Sequence, residues 1–349
     1  MKKPRTLLVL STVATVGLAL AAISSTVTGQ IQPLFENPQP QTTANDSSLE
    51  LRIAKEIALI HDGEQHGLEP LKMGRLWAHL GIDYEDEAEF TKAESAYNHS
   101  LKILKALPAG AADYVNALDN LGSMYLRMGN LAEAEHCSKN SLAARQKMGN
   151  ELQVARGKWH LAEVELGSHR AKEARQESLE AYNEMVALKD PLTNDLVSAL
   201  ITLVYAECSG DSCKDGIAHA KQSLTLARTV SPSDTIMIGQ ALLALGFAEW
   251  KTGMKDGPDK EMRESIDIFK AQQLRGRVYV LSAMEQYRTY LHAVHREPEA
   301  QQLASEEAKL KEQGSNCANC TVSVYSLEDQ RTNSKPNKEA EMPVTHGKK

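Results

Sequence analysis

The side chains with the most chemistry to offer in this 349-residue chain are its five cysteines. Cys208 and Cys213 flank Ser-Gly-Asp-Ser, a composition that turns the chain, and a bridge between them would staple a short loop. Cys317 and Cys320 form a Cys-Ala-Asn-Cys motif. A redox-active pair of that spacing needs its first sulfur at a helix N-terminus, where the macrodipole and free N–H groups lower the thiol pKa. Here β-branched residues follow instead, so a local disulfide or an idle pair is the plainer expectation, with thiol exchange and a metal site as alternatives. A zinc site would need two more ligands at suitable spacing. No His follows Cys320, which excludes covalent haem attachment. Cys137, on a helix, is left over.

His292 and His295 lie three apart on one helical face, but metal binding needs a third ligand and none is close in sequence. Two polar histidines near a helix C-terminus, where positive charge is favoured, are the simpler reading. The acidic run Glu85-Asp-Glu-Ala-Glu89 reads as a solvated cap at a helix N-terminus. No Gly-rich phosphate loop, HExxH or GxSxG occurs, so the sequence calls for no catalytic residue, cofactor or metal. Weak thiol–disulfide exchange is the one enzymatic activity left open.

The chain that must position these residues is Ala/Leu-rich, with 42% apolar and only 5% aromatic residues. It opens with Met1-Lys-Lys-Pro-Arg5, an apolar run from Leu7 to Ile23 and small residues to Gly29. This is the pattern of a signal peptide over 1–29, or of a membrane anchor in 7–23 if it is not removed. Past Gly29 the chain holds 36 basic against 46 acidic side chains, interleaved throughout. That balance disfavours nucleic acid and anionic membrane surfaces, and leaves only the leader to meet a membrane. Export to the periplasm or the medium is the expected destination. Residues 30–48 are rich in Gln, Pro, Asn, Thr and Ser and read as a disordered linker. Residues 49–73 carry Leu51, Ile53, Ala54, Ile57 and Ile60 at helical spacing and read as a leading cap helix. Residues 315–349 turn polar again and read as a mostly disordered tail.

Between these ends the chain repeats. Leu80, Leu121, Leu161, Leu203, Leu245 and Tyr287 are separated by 41, 40, 42, 42 and 42 residues. After each anchor comes a mostly small residue: Gly81, Gly122, Ala162, Val204, Gly246 and Arg288. Thirteen residues on stand Ala93, Ala134, Ala174, Gly216, Pro258 and Ala300; twenty on, Ser100, Ser141, Ala181, Ser223, Ser265 and Glu307. Small columns on two helices let their backbones approach while larger residues one turn away fill the layer between them. Arg127-Met-Gly-Asn130 and Lys251-Thr-Gly-Met254 put Gly where a first helix must end in a left-handed cap. These columns predict an all-α array over 74–314, with units near 74–107, 115–148, 155–188, 197–230, 239–272 and 281–314.

Leu118-Asp-Asn-Leu-Gly-Ser-Met-Tyr125 followed by Gly129-Asn-Leu-Ala-Glu-Ala134 resembles a tetratricopeptide repeat, and the spacing near 42 resembles the longer form of kinesin light chains. The Tyr column of that pattern becomes Glu165, Glu207 and Glu249 in the middle units. The resemblance implies a right-handed α-solenoid of about six antiparallel helical hairpins. It also implies binding of a partner polypeptide, of unknown identity, in a concave groove lined by the first helix of each hairpin. On that face Trp159, Tyr205, Phe247 and Trp250 are the leading candidates, since aromatic side chains anchor partners, with Arg156 and Asn116 beside them. The same aromatics could instead pack between neighbouring hairpins. The basic-and-Asn pattern that clamps a C-terminal carboxylate in some members is not visible; only Arg75, Arg127 and Arg156 approach it. A thiol-handling protein and a self-associating structural component are the competing readings.

Overall fold

The computed structural model describes residues 49–87, 89–188, 194–209, 213–230, 232–233 and 235–312, with the backbone alone for 273–278. The leader, the linker, the tail and the Cys317/Cys320 motif fall outside the described residues. Those residues form thirteen α-helices. A leading helix, α1 (Leu49–His66), precedes six hairpins: α2 (Pro70–Asp86) with α3 (Phe90–Leu104), α4 (Ala111–Arg127) with α5 (Leu131–Met148), and α6 (Glu151–Gly167) with α7 (Ala171–Val186). Then come α8 (Asn194–Cys208) with α9 (Gly216–Val230), α10 (Thr235–Lys251) with α11 (Gly257–Ala271), and α12 (Gln273–Ala293) with α13 (Glu297–Glu312). The first helices of units two to five begin three or four residues ahead of the unit starts drawn from the columns. At α6 the start is set by Asn150, which accepts the Gln153 N–H at 3.0 Å.

The small columns sit where hairpins cross. A Cβ on Gly81 would lie 2.7 Å from the Tyr97 ring, one on Gly246 2.8 Å from Met262, and one on Gly122 3.1 Å from the Cys137 Cβ. Ala93, Ala134, Ala174 and Ala300 are fully buried opposite them. Each Leu or Met filling the adjoining layers contributes about 1.5–3 kcal/mol relative to exposure.

One turn recurs between first and second helices. Gly129, His169, Gly253 and His295 adopt φ of 74°, 59°, 77° and 59°. The residue after each donates its N–H to the carbonyl five back: Asn130 to Tyr125, Arg170 to Glu165, Met254 to Glu249 and Arg296 to Leu291, at 2.8–2.9 Å. This is the left-handed helix stop expected at the two glycines, and two histidines hold the same place. The turn between α8 and α9 is closed by a disulfide between Cys208 and Cys213.

Stacking builds two layers. The first helices α2, α4, α6, α8, α10 and α12 each touch the next, and each of the second helices α3 to α11 packs between its own first helix and the following one. Between second helices, ion pairs recur: Arg170 with Glu135 at 3.2 Å, Arg263 with Glu299 at 2.9 Å and Lys270 with Glu306 at 2.6 Å. The inner layer also curls far enough for α12 to touch α2.

Candidate functional site

The inner layer divides into a polar half and an aromatic half. In the polar half, α4 and α6 meet over a buried cation from the layer behind. Arg145 of α5 is 1% exposed and forms an ion pair with Asp119, which is itself buried. Its Nη2 donates to Asn116 Oδ1 at 3.0 Å, its Nε donates to Ser141 Oγ at 3.2 Å, and its Nη1 contacts Gln153. A guanidinium has only donors to give, so the Asn116 amide must turn its oxygen inward. The Asn116 Nδ2 hydrogens then face away from Arg145, and no acceptor meets them among the described residues.

His160 spans the same two helices, with Nε2 3.5 Å from Asp119 and Nδ1 3.3 Å from Glu163. Burial disfavours the charged ring, but Asp119 and then Glu163 outweigh it and hold the His160 pKa above its ordinary value. Trp159 lies tilted against His160, ring centroids 4.1 Å apart, and donates its Nε1–H to Thr202 Oγ1 at 3.2 Å. It remains partly exposed. Arg127, at the end of α4, pairs with Glu85 of α2; burial lowers its pKa, opposed by Tyr279 of α12 and Glu163 of α6. Helices from both ends of the array thus face one guanidinium.

In the aromatic half the expectation of an open groove is corrected. Tyr205 and Phe247 are 1% and 4% exposed, their rings 5.0 Å apart, and the Tyr205 hydroxyl donates to Gln286 Oε1 at 3.2 Å. α8, α10 and α12 close on one another here, so these two rings are core between hairpins and offer a partner nothing. Trp250 is partly exposed, packed edge-on against Phe247 and Tyr290, with the Lys251 ammonium 4.9 Å from its ring centroid. Arg156, expected to meet a partner, forms an ion pair with Asp195 of the next hairpin, as Arg75 does with Asp113 at 3.0 Å. Asn116 and Trp159 therefore stand on neighbouring helices of the polar half, while Tyr205, Phe247 and Arg156 are committed to internal contacts.

Other sequence readings fare unevenly. Glu85 is not solvated: it is 7% exposed, accepts a 2.8 Å hydrogen bond from the Tyr97 hydroxyl and belongs to the last turn of α2. Glu85 is thus a buried partner for Tyr97 and Arg127, whereas Asp86, Glu87 and Glu89 of its run are partly exposed and Glu89 is the N-cap residue of α3. His292 bonds Glu297 at 2.8 Å, and His295 is the left-handed turn residue, so the two do not converge. Cys137 is buried with its thiol pKa pushed up to about 12 by burial. Among the described residues no group of three or more His, Cys, Asp or Glu could hold a metal ion, and no helix is long and apolar enough to cross a membrane. Arg145, the buried cation that orients Asn116, was not singled out from sequence, although it stands in a column that is apolar in four other units.

Two-layered hairpin arrays of this kind are α-solenoid repeat proteins. Residues 72–147, within the first two hairpins, match the tetratricopeptide repeat family model. No curated protein matches it in sequence. Among solved structures, the Rap conjugation gene regulator of plasmid pLS20 in complex with the Phr* peptide is 13% identical with a TM-score of 0.60, over 76% of this chain and 70% of that one. The apo form of RapI is 13% identical with a TM-score of 0.58, over 76% and 97%. BtubC from P. vanneervenii is 18% identical with a TM-score of 0.52, over 65% and 93%. At these identities the likeness is one of fold.

Proposed function

We propose that this protein is an interaction scaffold that holds an extended polypeptide segment against the polar half of its inner layer. The Asn116 amide carries the reading. Its oxygen is locked by Arg145, which leaves a fixed pair of N–H donors on an open inner helix, the kind of preset donor that meets a main-chain carbonyl with little further ordering cost. Trp159, on the neighbouring inner helix α6, supplies a partly exposed ring for a side chain of the same segment. The pLS20 Rap regulator, of like fold, was solved with a peptide bound, which supports the mode of use without identifying the ligand.

The test is selection of a random peptide-display library on the full chain. Asn116→Asp keeps an oxygen for Arg145 but removes the donors, so enriched peptides should bind about ten-fold or more weaker to it, the scale of one to two lost hydrogen bonds. Trp159→Ala should act likewise. Equal enrichment by wild type and both variants would remove the polar half as the binding face.

Export is part of the same proposal. The charged and apolar start of the chain supports it, and so does the Cys208–Cys213 disulfide, a bond kept in oxidising compartments. Mass spectrometry of the mature N-terminus checks it; a chain retaining Met1 and remaining in the cytosolic fraction would overturn it.

A further inference from the structure

Asn116 is on α4 and Trp159 on α6, so the spacing of the two contacts depends on what ties those helices together. Arg145 is one tie: from behind it meets Asn116 and Asp119 of α4 and Gln153 of α6, and a guanidinium keeps its charge throughout the working pH range. His160 is another, and its charge is conditional. Both nitrogens of this partly exposed ring face carboxylates, Nε2 at 3.5 Å from Asp119 of α4 and Nδ1 at 3.3 Å from Glu163 of α6. A neutral imidazole has one N–H and one lone pair, so it turns that lone pair against one of the two carboxylates; the imidazolium donates to both. Asp119 has an acceptor to spare, since its Oδ1 is buried and meets no partner among the described residues. Trp159 lies against the same ring, centroids 4.1 Å apart, so a movement of the imidazole moves the indole.

The helices packed on α6 bring further charges, most of them committed elsewhere. α5 supplies Arg145, bound to Asp119, whose positive charge opposes that of the ring. α7 supplies Glu180 and Glu184, both taken by Lys158, and Glu177, beside Glu165. α8 supplies Asp195, held by Arg156, and Glu207, held by His219. At the end of α4, Arg127 acts on Glu163 but is paired with Glu85. Burial works against a charged His160, and Asp119 followed by Glu163 outweighs it, so the ring keeps its proton above the ordinary imidazole value of 6.5.

We propose that peptide binding on this face is proton-linked, a step that rests on the polar half being the binding face: the His160 imidazolium clasps Asp119 to Glu163 and holds Asn116 and Trp159 in register for a bound segment, and loss of its proton loosens them. His160 is then a positioning residue. Affinity should be highest at acidic pH and fall as pH rises through the His160 midpoint, and by reciprocity an occupied face raises that midpoint. One unit of such a shift is about a ten-fold change in affinity. The probe is an N-acetylated, histidine-free peptide enriched from the display library on the full chain at pH 6, labelled with rhodamine and titrated by anisotropy from pH 6 to pH 9. Wild type should lose about ten-fold over that range, while His160→Gln should bind weakly and without the pH step. Glu163→Gln removes one carboxylate, so it should move the loss to lower pH, together with the His160 ring signal followed by NMR. A merely structural role for these groups would leave the position of the step unchanged. Circular dichroism verifies folding, and if His160→Gln unfolds, the paired shift in Glu163→Gln decides alone. Asn116-dependent affinity that is flat with pH, a step that survives in His160→Gln, or a His160 midpoint at or below 6.5 would overturn the proton link and leave the binding face standing. No enriched peptide at any pH would remove the face itself, and the link with it.

Discussion

Arg145 and Asp119 are both exceptions to the columns that hold them. Twenty-four residues past the anchors, units one, three, four and five place Leu104, Met185, Ala227 and Phe269, all buried, and two residues before the anchors, units one, four and five place Ala78, Ile201 and Leu243; unit three has Trp159 in the second column, and unit six has Lys311 and Glu285. Units two and six both carry opposite charges in these two columns, and Arg145 with Asp119 is the pair that is buried, so the sequence announces a charged pair but not its burial. Breaking the buried pair is expensive because the survivor keeps its charge out of water. Arg145→Met should cost about 3–5 kcal/mol in denaturant unfolding, while Arg145→Met with Asp119→Ala should recover most of the loss. A double variant no more stable than the single one would show that the pair is not coupled. A second residue-scale effect is Glu165, whose pKa is raised to about 7, first by burial and then by Glu177. Its ordinary value is 4.5, so the folded state prefers the protonated acid. That preference is fully present below the unfolded pKa and is lost as pH rises through 7. Wild type should therefore melt lower at pH 8 than at pH 5, and Glu165→Gln should flatten that difference, by a modest margin since the group is half-exposed. An identical pH profile for both would sink the assignment.

At the scale of the element, the turn from first to second helix was readable where it contains Gly and unreadable where it does not. Gly129 and Gly253 advertise a left-handed stop; His169 and His295 occupy the same conformation with nothing in their type to announce it. A β-carbon in that region costs about 1–2 kcal/mol, which the surrounding hairpin imposes on both histidines. His169→Gly should therefore raise stability by up to about 1 kcal/mol, the strain relief being offset in part by the freer unfolded chain. Thermal unfolding decides it, and a lower melting temperature would mean that the His169 side chain contributes more than its backbone strain removes. The helices themselves were legible for a simpler reason. The serines and alanines of the small columns are almost all completely buried, so each column reports a crossing directly.

For the array as a whole, the sequence pointed to which helix faces inward but not to how tightly the inner layer bends. Periodicity identifies a face; whether that face is groove or core depends on curvature, which is set by six crossings at once. Tyr205 and Phe247 are on the inner side as expected, and curvature turns them into packing. Asn116 and Trp159 stay partly exposed, on a side of the layer whose interior holds the charged groups Arg145, Asp119, His160 and Glu163. The same curvature brings α12 against α2 and Tyr279 toward Arg127. Removing residues 273–312 should raise amide hydrogen exchange in α2 and the end of α4 more than in α6, although α2 and α4 keep all their sequence neighbours. Exchange that rises only in α10 and α11 would show that the contact carries no stability. A stack held by nearest neighbours alone can melt from its ends, one hairpin after another. Here the last inner helix leans on the first, so neither end is free to fray by itself, and the expected signature is one cooperative unfolding transition where an open array of the same length would show a graded one.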